Sequence, residues 1–333
     1  MMKRRQMGRD GAQISPIGIG AMSFSNFYGP TDEAASHAIL DAATELGVTH
    51  IDTANIYGAG RSETAIGTYF KANPTARDGF HIATKASIAR TPEGARHFDN
   101  SASYLMDELD KSLARMGTDH VDLFYAHRRD PSMSIEEATE NLAALVTSGK
   151  ARAIGFSEIA PSSLRRAAAV HHIAAVQSEY SLATRSPELG LVQTCAELGT
   201  ALVAFSPVGR SLLTDSPLTA KAIENIKFLS GNPRFQNPNL TANLRISDAF
   251  RKLAADMGTP TAALAIAWLL HQGDHVIAIP GTRSVRHLRE LAAGMDLSLA
   301  ADDLAAIDAV LPVGWAHGDR YNDDQWGGPE RYS

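Results

Sequence analysis

Val48-Thr49-His50-Ile51-Asp52, Phe80-His81-Ile82-Ala83-Thr84-Lys85 and Val121-Asp122-Leu123-Phe124-Tyr125-Ala126-His127 are three short runs built alike. Each is rich in β-branched or aromatic residues, as strands are, and each turns polar at its last residue. Tyr57 follows shortly after the first. If the runs are consecutive parallel strands, their C-terminal ends meet on one face of an α/β barrel, where catalytic residues gather.

Outward from these runs, helix-like and strand-like segments alternate. Thr31-Asp32-Glu33 starts a helix whose Ala35, Ala38, Ile39, Ala42 and Leu46 share one face. Ser62 is expected to cap a second helix through Phe70. A loop, Ser87–His97, precedes a helix from about Asn100 to Met116 with Leu105, Leu109, Leu113 and Met116 as its inner stripe. Helices are predicted over Ile135–Thr147, Pro161–Val170, Pro187–Leu198, Thr241–Met257, Pro260–Leu270 and Val285–Ala293. Strands are predicted to end near Ser157, Gln177, Phe205 and Ile279, with an early one at Ile17–Gly20. Ser206–Leu240 reads as irregular. Repeated βα units imply right-handed crossovers and a parallel sheet. The expected fold is therefore α/β, a (β/α)8 TIM barrel over residues 1–333 as one domain. An N-terminal β-hairpin turned at Asp10-Gly11 would plug the bottom, and a helix and tail would end the chain. A doubly wound sheet is the rival, but Gly18-Ile19-Gly20-Ala21-Met22 lacks the third glycine of a dinucleotide fingerprint.

Composition suits a large globular core. Of 333 residues, 44% are hydrophobic and 20% charged, with a formal net charge of −6. The absence of a basic block argues against nucleic acid. The longest apolar stretch, Thr261 to Leu270, is too short to span a bilayer, so no membrane partner is expected. One cysteine, Cys195, permits no internal disulfide and fits a reducing, cytoplasmic setting. It reads as a small buried residue rather than a nucleophile, since no histidine is evident to pair with it. His171-His172 lacks a third ligand at a sensible spacing, so no metal is expected.

Asp52, Tyr57, Lys85 and His127 make chemical sense together. A phenol titrates near ~10 and is a poor acid at neutral pH. An ammonium beside it is expected to stabilise the phenolate and lower that value. A carboxylate would keep the lysine charged and in place, and an imidazole would hold a substrate oxygen against the phenol. Such a site gives a proton to a carbonyl oxygen or takes one from an alcohol. Nothing in it accepts electrons, so the redox partner must be a cofactor.

At these residues the chain resembles the aldo-keto reductases, in their bacterial and plant branch more than the mammalian aldose reductases. The resemblance rests on Gly47–Gly58, Ala83-Thr84-Lys85 and Asp119–Arg128, and continues through Ala153–Glu158, Val176–Ser181, Ala204–Arg210 and Ile279–Arg283. It implies a barrel that binds NADPH, or alternatively NADH, in extended form without a Rossmann domain, and a catalytic tetrad of Asp52, Tyr57, Lys85 and His127 with Tyr57 as general acid. Ser157, Glu158 and Gln177 match positions that hold the nicotinamide carboxamide. Phe205 stands where an aromatic stacks on the nicotinamide. The loop from Ser206 through Val208 to Arg210 matches a pyrophosphate belt. Arg283 and Ser284 match the group that contacts the 2′-phosphate, and Gly20, Met22, Gly281 and Thr282 complete the expected cofactor seat. His287 and Leu291 stand where the family often has Gln and Asn near the adenine.

Substrate choice is expected in loops over the barrel mouth. Tyr28, Arg128, Arg129 and Trp315 are the candidates, with the aromatic tail 312–333 either folding over the site or packing outside it. A second arginine after His127 suggests an anionic substrate. The expected partner is a small carbonyl compound, and a homo-oligomer is compatible with the sequence. Three functions compete. The first is a reversible carbonyl reductase, which also covers an alcohol or sugar dehydrogenase working oxidatively. The second is a cofactor-binding regulatory subunit with slow turnover. The third is an aldolase using Lys85 as a Schiff-base amine, which a charged lysine beside Asp52 opposes.

Overall fold

The computed structural model describes residues 4–332. Eight parallel strands run in chain order: Ile19–Gly20, His50–Asp52, His81–Ala86, Leu123–Ala126, Ile154–Ser157, Ala175–Glu179, Ala201–Phe205 and Val276–Ile279. Ile17 pairs in parallel with Ala278, and Gly18 N–H donates to Ala278 O at 2.7 Å, so the first strand meets the last and the sheet closes. Glycine is required at the seam. A Cβ on Gly20 would stand 2.7 Å from Ile279 O. Gly20 thus serves barrel closure, which accounts for a glycine pair without a dinucleotide fingerprint.

Alternation along each strand sorts the core in two. Ala83, Leu123, Tyr125, Ala175, Ala201, Val203, Ile277 and Ile279 fill the barrel interior, while Ile51, Ile82, Phe124, Ile154, Phe156, Val176, Leu202 and Val276 face the helical ring. The hairpin Arg5–Gln6 with Gln13–Ile14 adds Met7 and Ile14 to the inner cluster and closes its bottom. The Arg5 guanidinium ties the hairpin to the last strand through Val276 O, and to the turn and helix before it through Gly273 O at 2.6 Å and Leu270 O at 2.5 Å.

The helices follow the apolar spacing. Glu33–Glu45 is capped by the Asp32 side chain at Ala35 N–H, 2.8 Å, and Ala102–Met116 buries Leu105, Leu109, Leu113 and Met116. Ser62 is not a cap. Arg61–Ala72 begins at Gly60, and Ser62 Oγ instead donates to Ala21 O at 2.8 Å beneath the site. The expected loop Ser87–His97 contains a hairpin, Ile88–Arg90 with Arg96–Phe98, turned through the Pro92–Gly94 region. The expected helix Pro187–Leu198 breaks at Gly190, φ +135°, into a 3-10 turn and Leu191–Leu198. Short helices Ala220–Glu224 and Lys227–Ser230 punctuate the region expected to be irregular. Cys195 is buried, and burial raises its thiol pKa. Among the described residues no single helix is long and apolar enough to cross a membrane.

Inside the barrel, one pleat below Asp52, His50 Nδ1 lies 3.1 Å from His81 Nδ1. Burial, with His50 beside it, pushes His81 down to about 3, where Asp122 opposes the shift and Arg77 adds to it. His50 is lowered too, chiefly by burial, against the pull of Asp52. Both rings fold neutral, whereas the unfolded chain takes up protons near ~6.5. Their contribution is complete above ~6.5 and is lost as pH falls below it, by up to about 1.4 kcal/mol per pH unit for each ring. Urea midpoints should fall between pH 7 and pH 5, and His81→Gln should narrow that difference. An unchanged difference in the variant would count against this assignment.

Candidate active site

The same alternation that builds the inner core places the functional residues. One inward step above Ala83, Tyr125, Gly155, Ala175 and Val203 come Lys85, His127, Ser157, Gln177 and Phe205, and Asp52 lies one inward step above His50. Tyr57 arrives from the turn after Asp52. Gly58, Ala59 and Gly60 all take positive φ there and swing the chain into the helix Arg61–Ala72.

Lys85 is fully buried. Its ammonium donates to Asp52 Oδ1 at 2.5 Å and to Thr53 O at 2.6 Å. Gln177 Nε2 donates to the other Asp52 oxygen at 2.7 Å. Burial lowers the Lys85 pKa, and Asp52 opposes it by charge and by hydrogen bond. Lys85 Nζ stands 5.1 Å from the centre of the Tyr57 ring, and the Tyr57 and His127 rings meet edge to face at 5.9 Å.

The expectation that the lysine would lower the Tyr57 pKa is not met here. Burial pushes the phenol well above its ordinary value, Asp52 adds to the shift, and Arg128 is the cation that opposes it. Tyr57 is therefore held as the neutral phenol. His127 is held neutral, its pKa far below normal through burial, then Arg128, then Lys85. A neutral imidazole offers one N–H to a substrate oxygen, and the buried Nδ1 has no protein partner among the described residues.

Above this group opens a cavity of about 1050 Å³. Tyr57, His127 and Asp52 line it, and so do Gly20, Met22, Ser157, Gln177, Phe205, Ser206, Val208, Arg210, Gly281, Thr282, Arg283, Ser284 and His287. Of the substrate candidates, Tyr28 and Arg128 line it as well. Three candidates lie elsewhere. Trp315 is buried in the core with its indole N–H donating to Leu182 O at 2.8 Å. Arg129 pairs with Glu330 at 2.7 Å. Glu158 faces away from the cavity into an ion network with Arg320. Burial alone would raise the Glu158 pKa, but Arg320 holds it below the usual carboxylate range.

The tail contributes to the cavity wall, while its Trp315 packs into the core. Arg320 pairs with Glu158 and lies 3.5 Å from Glu179, which also pairs with Arg210 at 2.5 Å. Arg210 Nη1 donates to Arg320 O at 2.9 Å, so this guanidinium is committed to the network. Tyr321 and Gln325 line the cavity, as do Arg96 and Ile88 of the hairpin that the loop expectation missed.

Comparison with known proteins bears on the family and the fold. Residues 16–312 match the model of the Aldo/keto reductase family. A probable aldo-keto reductase 1 of Glycine max is 36% identical over 95% of this chain and 91% of its own. The aldo-keto reductase yakc [NADP(+)] of Schizosaccharomyces pombe is 35% identical over 93% of this chain and 94% of its own. Among solved structures, the glycerol dehydrogenase AKR11B4 of Gluconobacter oxydans superposes with TM-score 0.82 at 25% identity, covering 97% of this chain and 98% of that one. The holo form of AKR11C1 from Bacillus halodurans gives 0.77 at 26%, covering 98% and 100%.

Proposed function

The chain belongs to the aldo-keto reductase family, and we propose that it reduces an aldehyde, ketone or sugar carbonyl to the alcohol with NADPH, reversibly, with Tyr57 as general acid. The observation that carries this reading is the buried Lys85–Asp52 pair set beneath a protonated Tyr57 and a neutral His127 at the floor of one cavity. His127 orients the substrate oxygen. Tyr57 gives it the proton, and Arg128 is the cation that favours the phenolate left behind, while Lys85 lies 5.1 Å from the ring centre. In the reverse direction the phenolate takes the proton of the alcohol.

The donor set suits a nicotinamide dinucleotide. Phe205 offers an aromatic face, Ser157 and Gln177 offer polar groups beside the tetrad, and Ser284 precedes the helix Val285–Ala293, whose free N–H groups favour an anion. Arg283 is exposed beside that helix start, where a guanidinium matches a phosphate. Bound NADPH would supply the hydride. Arg283→Ala should weaken NADPH binding by about 10- to 100-fold and leave NADH nearly unchanged, measured by fluorescence titration. Equal losses for both cofactors would argue against a 2′-phosphate contact.

The cytoplasm is the proposed location, and a small carbonyl compound the proposed partner. The likeness to a glycerol dehydrogenase supports an oxidative working direction as the second reading. A Schiff-base role for Lys85 finds no support, because its amine is fully buried and does not line the cavity. A screen of NADPH oxidation over aldehydes, ketones and sugars tests the proposal, and binding without turnover would favour the regulatory reading.

A further inference from the structure

We propose that Arg96 and Arg128 form a subsite for an anionic group, so that the preferred substrate is a carbonyl compound carrying a carboxylate. This rests on the carbonyl-reductase reading above and names its substrate class.

Both guanidinium-bearing residues line the cavity alongside Tyr57 and His127. Neither has a carboxylate partner within ion-pair distance among the described residues. Arg128 donates to His127 O at 2.7 Å and to Ser157 Oγ at 3.1 Å, and Arg96 donates to Asp324 O at 2.5 Å. The contrast with neighbouring arginines is sharp. Arg129, Arg210 and Arg320 are each matched to a glutamate. In a chain with net charge −6, two cations without a carboxylate in ion-pair distance line one cavity, and although Glu158 acts on Arg128 by charge from farther off, together they offer a local field for an anion.

The tail builds this subsite rather than merely covering it. It passes over both arginines at Gly327 and Gly328. A Cβ on Gly328 would stand 2.9 Å from Arg128 Cδ and 2.9 Å from the Phe98 ring, and one on Gly327 would stand 3.2 Å from Arg96 Nη2. Arg96 also lies over the Phe98 ring at 5.8 Å. Backbone packing therefore restrains both side chains, as recognition of a planar anion requires. His127 O anchors Arg128 next to the imidazole that orients the carbonyl, so the anionic group would lie close to the reacting carbon.

The test is a matched pair, 4-carboxybenzaldehyde and benzaldehyde, with NADPH. The acid should be favoured in kcat/KM by about tenfold, and the preference should shrink as salt is raised. Arg96→Gln and Arg128→Gln should each bring the ratio towards one. Arg96 is exposed, so its variant keeps the test sound if Arg128→Gln does not fold. A ratio of one or less in the unaltered protein overturns the proposal, and so does a preference that survives in Arg96→Gln. Benzaldehyde turnover without acid preference would sink the subsite alone. No turnover of either aldehyde, with no NADPH binding, would sink the underlying reading with it.

Discussion

Tyr57→Phe is expected to lower carbonyl reduction by about 10²–10⁴-fold, the usual worth of a positioned general acid, while NADPH affinity changes little. The ring would keep its edge-to-face contact with His127 and its place 5.1 Å from Lys85 Nζ. Only the proton would be lost. The pH dependence sharpens the expectation. Burial holds the phenol pKa above its ordinary value, so the acid form persists through the neutral range and reduction should be insensitive to pH there. Oxidation of an alcohol needs the phenolate and should climb steadily as pH rises. Stopped-flow single turnovers would separate chemistry from cofactor release. Reduction by the phenylalanine variant at near-normal rate would refute the role given to Tyr57.

Asp52, Lys85 and His127 were legible because they obey a period, whereas Tyr57 sits on the turn beyond Asp52, outside it. Asp52, Lys85 and His127 each lie one inward step above a core or inner-face residue, and an apolar run that breaks at a polar residue shows that step in one dimension. Barrel closure was legible for the same reason, since eight βα units were countable. The hairpin Ile88–Phe98 was not read, because its residues are largely exposed and carry no apolar alternation. The turn signal Thr91-Pro92-Glu93-Gly94 between two short runs could have revealed it. Ser62 looked like a cap, yet positive φ at Gly58, Ala59 and Gly60 had already set the start of that helix. The resemblance alone points Glu158 to the cofactor, and it does not line the cavity. Its real partner is Arg320, 162 positions away, and no local pattern announces a pair so distant.

Arg320→Met is expected to release the tail from the barrel mouth. Five charged side chains meet there: Glu158, Glu179, Arg210, Arg234 and Arg320, all buried. Glu158 also accepts from Glu179 N–H at 2.8 Å and Ser178 Oγ at 3.1 Å, so its carboxylate is fixed inside whether or not Arg320 is present. Stranding one member of a buried pair costs about 3–5 kcal/mol. The barrel core does not include this cluster, and the chain can avoid the cost by letting the tail lift and water enter. The loss should therefore appear first as faster amide exchange in 312–332, with the barrel strands still protected. KM for the carbonyl should rise more than kcat falls, because Tyr321 and Gln325 line the cavity while the tetrad stays in place. Adding Glu158→Gln should restore part of the loss, since the double variant removes the stranded charge. A double variant as damaged as the sum of the two single changes would mean that Glu158 and Arg320 act independently, and that the tail is held by its aromatic packing, Tyr321 against Phe228 and Trp326, instead.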